Sequence, residues 1–302
     1  MNRLRRLALL TSLAAYALVV LGGLVRGTGA GLACPDWPLC HGRIIPPLEP
    51  LVLIEWAHRL LASIVGLLVV VVAVVAYRSR RQWPQAVLPA FIALGLLVVQ
   101  VVLGGLTVHL LLTPAIVVAH LATGMAFLAS LLTTTVLATP AAQPGGTVSA
   151  GFRTLALITA LSTYGLILLG GLVSSSGAGL ACPDWPLCHG QLLPPPAGVA
   201  HLQFAHRLGA LTVGVFILIT ALASRRQTPH LAKVAAATPG LLAGQILLGA
   251  INIWTRLAPV VTAAHLGLAA MLFAMLVVLV GRSFRTPLGA ATSALPQPQG
   301  AR

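Results

Sequence analysis

The stretch Gly29 to Gly42 reads GAGLACPDWPLCHG, and Gly177 to Gly190 repeats it without a change. Identity of that length within one chain marks an internal duplication, and a duplication fixes the architecture before any single segment is assigned. The match extends outward in both directions. Upstream, Leu21-Gly22-Gly23-Leu24-Val25 returns as Leu169-Gly170-Gly171-Leu172-Val173, and downstream His58 returns as His206, 148 positions on. Beyond that point the spacing shortens to 145: Ser79-Arg80-Arg81-Gln82 matches Ser224-Arg225-Arg226-Gln227, Gln100 matches Gln245, and His120 matches His265. The second copy is therefore shorter between His206 and Ser224.

The chain has 302 residues, of which 58% are hydrophobic and 7% charged, with a mean hydropathy of +0.98. A soluble domain cannot bury that much apolar surface, so the class is an all-α integral membrane protein. The formal net charge is +14, yet the basic residues stand in short runs between apolar segments rather than on one polar face. That is the placement of the positive-inside rule and not of a nucleic-acid-binding surface. The first apolar run follows Arg3, Arg5 and Arg6 and resembles a signal peptide. The same segment recurs before Cys182, where no signal peptide can be, so the run is read as a retained helix.

Each copy holds four apolar segments long enough to cross ~30 Å of hydrocarbon. They span approximately 7–26, 52–77, 86–109 and 115–138, then 153–174, 201–223, 231–254 and 259–281. Arg78, Arg80 and Arg81, the loop with Arg225, Arg226 and Lys233, and both termini are assigned to the cytoplasm, which leaves Asp36, Glu49, Glu55 and Asp184 on or near the outer face. Four spans return the chain to its starting side, so the copies are parallel repeats, expected as two pseudo-symmetric four-helix bundles. The domains are then 1–138 and 153–283, joined by a cytoplasmic linker over 139–152. The Pro-, Ala- and Ser-rich end, 284–302, is expected to be a disordered tail.

Four of the nine histidines form a pattern. His58 and His120 lie about six residues inside the outer ends of the second and fourth spans, and His206 and His265 repeat this in the sixth and eighth. By helix rise each pair sits roughly 9 Å below the outer boundary. A lone intramembrane histidine can simply hydrogen-bond across helices. Paired imidazoles at one depth, twice over, are what a low-spin heme iron takes as axial ligands. Zinc is less suited, because a pair lacks its third and fourth protein ligands. His41 and His189, each directly after a cysteine, are read either as proton shuttles or as loop residues. His109 and His201 fit no pairing and are taken as structural or interfacial, and His230 lies in a cytoplasmic loop.

The cysteines come as two copies of Cys-Pro-Asp-Trp-Pro-Leu-Cys on the outer side, where disulfides persist. A rigid lid over the bundle mouth and a redox-active pair are both open readings. A metal site using Cys40 and His41 lacks the usual zinc spacing.

Around His58 the sequence is Glu55-Trp56-Ala57-His58-Arg59, and around His206 it is Gln203-Phe204-Ala205-His206-Arg207. Glu55 and His58 share one helical face, so both can reach one ligand. A carboxylate there can relay protons during an oxidation, whereas Gln203 cannot. The plainer reading is that Glu55 pairs with Arg59 one turn on and favours the helix N-terminus. Arg59 and Arg207, present in both copies, suit either a heme propionate or snorkelling to water. Gln100 and Gln245 are expected to make interhelical or heme-edge hydrogen bonds. The Gly-Gly steps at 22–23, 104–105 and 170–171 are expected to permit close approach of a helix or heme.

Taken together, the duplicated eight-span layout, the Glu-x-x-His-Arg of the second span, the Cys-x5-Cys loops and the four histidines resemble the heme A synthase family over about residues 5 to 283. The resemblance implies oxidation of the C8 methyl of heme O to the formyl of heme A, for use in terminal oxidases. It implies that His58 and His120 face the substrate heme O and that Glu55 is essential to the reaction. It further implies that His206 and His265 hold a heme b, and that Cys34–Cys40 and Cys182–Cys188 form disulfides. A bacterial plasma membrane is the implied location. The implied partners are heme O and lipid, with heme O synthase, a quinol or other electron donor, and oxidase assembly factors beside them, and no nucleic acid. Two other functions compete. A transmembrane di-heme electron-transfer cytochrome needs hemes on opposite sides, whereas all four histidines lie toward one face. A non-catalytic heme carrier has no use for a carboxylate in only one pocket.

Overall fold

The computed structural model describes residues 2–140, 146–193 and 198–288. Part of the linker (141–145) and most of the expected tail (289–302) lie outside the described residues. Among the described residues the fold is all-helical, with eight helical spans long and apolar enough to cross a membrane. In chain order the helices are α1 (Arg3–Thr28), α2 (Pro50–Arg78), α3 (Pro84–His109), α4 (Pro114–Leu137), α5 (Ala150–Ser175), α6 (Ala200–Ser224), α7 (Pro229–Ala235), α8 (Thr238–Trp254) and α9 (Pro259–Arg285). A short 3₁₀ turn follows α1 (Ala30–Leu32) and another follows α5 (Ala178–Leu180). The protein is thus a multi-pass membrane protein.

Local sequence explains the boundaries. Proline opens α2, α3, α4, α7 and α9, where its missing N–H is one that no intrahelical carbonyl would have claimed. Asn2 caps α1 by accepting from the Arg5 N–H at 2.8 Å, and Ser149 caps α5 by accepting from the Phe152 N–H at 3.2 Å. Gly29 ends α1 in the left-handed region at φ 73°, and Gly177 takes φ 74° at the matching place. The seventh span is one segment in the sequence but two helices in space. It breaks at Ala236 and Ala237, just before Pro239 enters the first turn of α8 and withholds a backbone N–H from the preceding turn. Helix α9 continues to Arg285, past the expected start of the tail. Residues 286–288 then run beside the linker's end, where the Val148 N–H donates to the Pro287 carbonyl at 2.8 Å.

Within the first half, α1 packs on α2 and α4, and α3 packs on α2 and α4; within the second, α5 packs on α6 and α9, and α8 packs on α6 and α9. The halves do not stand apart. Helix α1 lies against α9, and α4 lies against α5 and α9. One buried apolar cluster runs through both, joining Val65, Met125 and Leu131 to Ile167, Ala270 and Phe273. Contacts across the join are reciprocal. The Tyr16 hydroxyl donates to the Gly267 carbonyl at 3.1 Å, and its counterpart Tyr164 donates to the carbonyl of Ala122, the counterpart of Gly267, at 3.0 Å. A Cβ on Gly23 would lie 3.2 Å from Leu266, and one on Gly171 would lie 2.5 Å from the matching Leu121. Small residues at these crossings let the backbones approach closely where lipid offers no hydrophobic drive. The outward faces are apolar instead, with Leu67, Leu88 and Leu211 each more than two-thirds exposed, as suits a surface wetted by lipid.

Candidate functional site

In each half the Cys loop folds onto the first turns of α2 or α6, and the two loops are built alike. Disulfides link Cys34 to Cys40 and Cys182 to Cys188, and all four cysteines are buried. The Asp36 carboxylate accepts from the N–H groups of His41 at 2.6 Å and Gly42 at 2.7 Å; Asp184 does the same with His189 and Gly190, both at 2.7 Å. These backbone donors, Gly42 foremost and Gly190 likewise, hold the two carboxyls below their ordinary range, with the nearby Arg59 and Arg207 charges adding to the effect. His41 and His189 adopt left-handed backbone at φ 54° and 56°, and each ring Nε2 lies 2.9 Å from the carbonyl of Ala33 or Ala181. Both are therefore parts of the loop's own fold.

The side chains that sequence comparison set against one another, Glu55 and Gln203, share a task. Glu55 Oε2 accepts from the Cys34 N–H at 2.8 Å, and Gln203 Oε1 accepts from the Cys182 N–H at 2.5 Å; both residues are buried. They part at the other end. Glu55 Oε1 pairs with Arg59 at 2.5 Å, whereas Gln203 donates to the Gly179 carbonyl at 2.8 Å. The arginines clamp the loops. Arg59 donates to the carbonyls of Cys34 (3.0 Å), Asp36 (2.7 Å) and Leu39 (2.5 Å), and Arg207 donates to those of Cys182 (3.1 Å), Pro186 (3.3 Å) and Leu187. Sequence reasoning offered them a propionate or water as partners. It missed loop carbonyls because a partner twenty or more positions away in an irregular segment leaves no periodic trace.

Deeper in, the four histidines have a common setting. Each ring lies against a glycine of a neighbouring helix: a Cβ on Gly22 would stand 3.2 Å from His58 Cε1, on Gly104 3.7 Å from His120, on Gly170 2.9 Å from His206, and on Gly249 3.3 Å from His265. Two of these glycines belong to the Gly-Gly steps at 22–23 and 170–171, and Gly104 to a third. Gly249 was not singled out because its neighbour is Ala250, although the 145-residue spacing pairs it with Gly104. The second glycine of each step serves something else: a Cβ on Gly105 would lie 3.3 Å from the Trp37 ring, while Gly23 and Gly171 serve the join between halves.

All four histidine Nδ1 atoms are buried without a hydrogen-bond partner among the described residues. An orphaned buried polar atom is costly, and four in equivalent places mark a candidate site. No three of His, Cys, Asp and Glu converge among the described residues, so the donor set is one of imidazole pairs. That set, with glycines backing the rings, fits a heme taken by pairs of histidines. Gln100 and Gln245 stand beside His120 and His265. Gln100 donates to the His120 carbonyl at 3.0 Å, and the Gln245 amide nitrogen lies 3.3 Å from His265 Nε2.

The chain also resembles known proteins over most of its length. The pattern of the COX15-CtaA family, described as cytochrome oxidase assembly protein, matches residues 5–52 and 49–277. The chain is 33% identical over 223 residues to a heme A synthase of Shouchella clausii, covering 72% of this chain and 74% of that one. It is 32% identical over 268 residues to one of Symbiobacterium thermophilum (83% and 86% covered), and 29% identical over 283 residues to one of Alkalihalophilus pseudofirmus (91% and 95% covered).

Proposed function

Since the chain belongs to the COX15-CtaA family of cytochrome oxidase assembly proteins, we propose that it is a heme A synthase, an oxidoreductase that takes heme O as substrate and converts its C8 methyl to a formyl group. Two successive two-electron oxidations, each replacing a C–H bond by C–OH with an external oxidant such as dioxygen taking the electrons, convert the methyl to an alcohol and then to a hydrated aldehyde, which loses water. His58 and His120 hold the substrate in the first half. His206 and His265 hold a heme b in the second, and that group, when bound, supplies one-electron redox chemistry. The loops lie on the outer face and both termini in the cytoplasm of a bacterial inner membrane, with heme O synthase, a quinol or other electron donor and oxidase assembly factors as partners.

The observation that carries this reading is the combination of two equivalent histidine pairs with one inequivalent acid. His58, His120, His206 and His265 share glycine backing and an unpaired Nδ1, so both halves are built for the same kind of planar ligand. Only the first half has a carboxylate one turn from its pocket histidine, and it is buried and tied to Arg59. Glu55 can take up a proton at its carboxylate oxygens when the substrate carbon loses one, and its ion pair with Arg59 holds the carboxylate in place. The Gln203 amide keeps the loop capped but cannot take a proton. The disulfide loop closes the outer mouth of the pocket and limits water access.

The test is co-expression with a source of heme O, followed by extraction and chromatography of the hemes. Heme A should appear with the wild-type chain. Its absence while the protein is present in the membrane overturns the proposal.

A further inference from the structure

Arg59 and Arg207 are occupied by loop carbonyls, so a carboxylate on a pocket ligand needs another cation. Arg26, in the last turn of α1, is placed to be one. Its guanidinium donates to the Ser174 carbonyl at 2.7 Å, and its Nε is buried without a partner. It makes no ion pair. The four acids of the chain are Asp36, Glu49, Glu55 and Asp184, and the ion pair among the described residues joins Glu55 to Arg59. A half-buried cation with one neutral acceptor and an orphaned donor is short of an anion.

The surroundings of Arg26 assign that anion to one pocket. Gly22 lies four residues earlier on the same face of α1, about 6 Å along the helix. It is the glycine that backs His58. Arg26 therefore stands one turn from the His58 ring, at the end of α1 that leads into the Cys loop. Its far end is spent across the join, on the residue that matches it in the second copy. Ser174 lies 148 positions on, one turn from the Gly170 that backs His206. Nε is the guanidinium nitrogen nearest the α1 backbone, so the donor left over is on the side of the first pocket. The second half has a serine at this place and no cation.

We propose that Arg26 is the carboxylate-binding residue of the first pocket, its guanidinium pairing with a propionate of the heme taken by His58 and His120. This rests on the reading of that pocket as a heme site. A forked guanidinium matches a carboxylate with parallel N–H donors. A planar ring held by two histidines can still turn about the line between them. Anchoring one carboxylate stops that rotation and so selects which peripheral carbon is presented for oxidation. Arg26 acts by binding and orientation, and it exchanges no proton.

Hemin and its dimethyl ester separate carboxylate recognition from every other contact, because esterification removes the charges and keeps the ring and iron. The full chain, freed of heme, is titrated with each and followed by the low-spin Soret band. His206→Ala confines binding to the first pocket and His58→Ala to the second. The first pocket should bind hemin about tenfold or more tighter than the ester, the worth of one charge-assisted hydrogen bond. Arg26→Gln should bring hemin to within about twofold of the ester and leave the affinity for the ester unchanged. Arg26→Ser should do the same, and because it copies Ser174 it covers the case in which Arg26→Gln fails to fold. Neither substitution should move the preference in the second pocket. Equal losses for hemin and ester in the variants would make Arg26 only a clamp between the halves. That result, a preference that survives in the variants, or one that they abolish in the second pocket alone, overturns the inference and leaves the heme reading intact. A wild-type chain that takes up hemin with no low-spin spectrum overturns the heme reading itself, and this inference with it.

Discussion

The first turns of α2 and α6 receive identical loops, clamp them with the same arginine, cap the same cysteine N–H, and differ in the functional group that does the capping. At Glu55 that group is a carboxylate paired with Arg59; at Gln203 it is an amide that turns to the Gly179 carbonyl. The comparison separates scaffold from chemistry within a single molecule. What both halves keep is what holding the loop and a planar ligand requires. What only one keeps must answer to something else.

The largest effect should come from erasing that difference. Glu55→Gln should retain the loop, because Gln203 shows that an amide caps the cysteine N–H, yet heme A yield should fall by about a hundredfold or more, the usual worth of a lost acid–base group. Wild-type yield in this variant would remove the catalytic role of Glu55. Next in size is the contact between glycine and ring. A methyl on Gly170 would meet His206 at 2.9 Å and on Gly22 would meet His58 at 3.2 Å, so Gly170→Ala should cost more than Gly22→Ala. Overpacking of this kind costs about 1–3 kcal/mol and should lower heme occupancy, measured by the Soret absorbance per protein. Equal occupancy in the two variants would show that the rings can retreat.

Removing the Cys34–Cys40 staple by a double serine substitution should destabilise the first loop by about 2 kcal/mol in the chain-entropy view, and the equivalent change at Cys182 and Cys188 should match it. Thermal unfolding in detergent would measure both, and a large inequality would mean that the loops are not equivalent lids. The smallest effect concerns acid. Asp36 and Asp184 are held below the ordinary value of 3.8, so their contribution to loop stability is present above that pH and is lost as pH falls through the lower folded value. Hydrogen exchange at His41, Gly42, His189 and Gly190 should therefore stay slow down to pH 3.8 and accelerate only below it.

Much of this was legible in the sequence, for identifiable reasons. Spans of twenty or more apolar residues are written in composition, and a duplication writes its own alignment, so the eight spans and the four histidines at matched depth could be read directly. The glycines were half legible. The Gly-Gly steps announced close approach, but only the fold shows that the first glycine of each faces an imidazole and the second a different neighbour. Gly249 lacked the doublet and went unseen, although the repeat spacing pointed to it. The arginine clamps and the shared capping role of Glu55 and Gln203 depend on contacts to irregular backbone. The break between α7 and α8 depends on a proline whose first-half counterpart is Leu94, so the repeat gave no warning of it.

The reciprocal bonds of Tyr16 and Tyr164 carry a consequence for how such a molecule could arise. When residue i of one unit contacts residue j of another, and j's equivalent contacts i's equivalent, the surface is isologous, the kind that a two-fold symmetric homodimer presents to itself. The join between halves is thus a dimer interface enclosed in one polypeptide. A true homodimer must change both pockets whenever it changes one. Fusion lifts that constraint, and the exchange of a single carboxylate for an amide at one of two matched positions is a change that only a fused pair can fix.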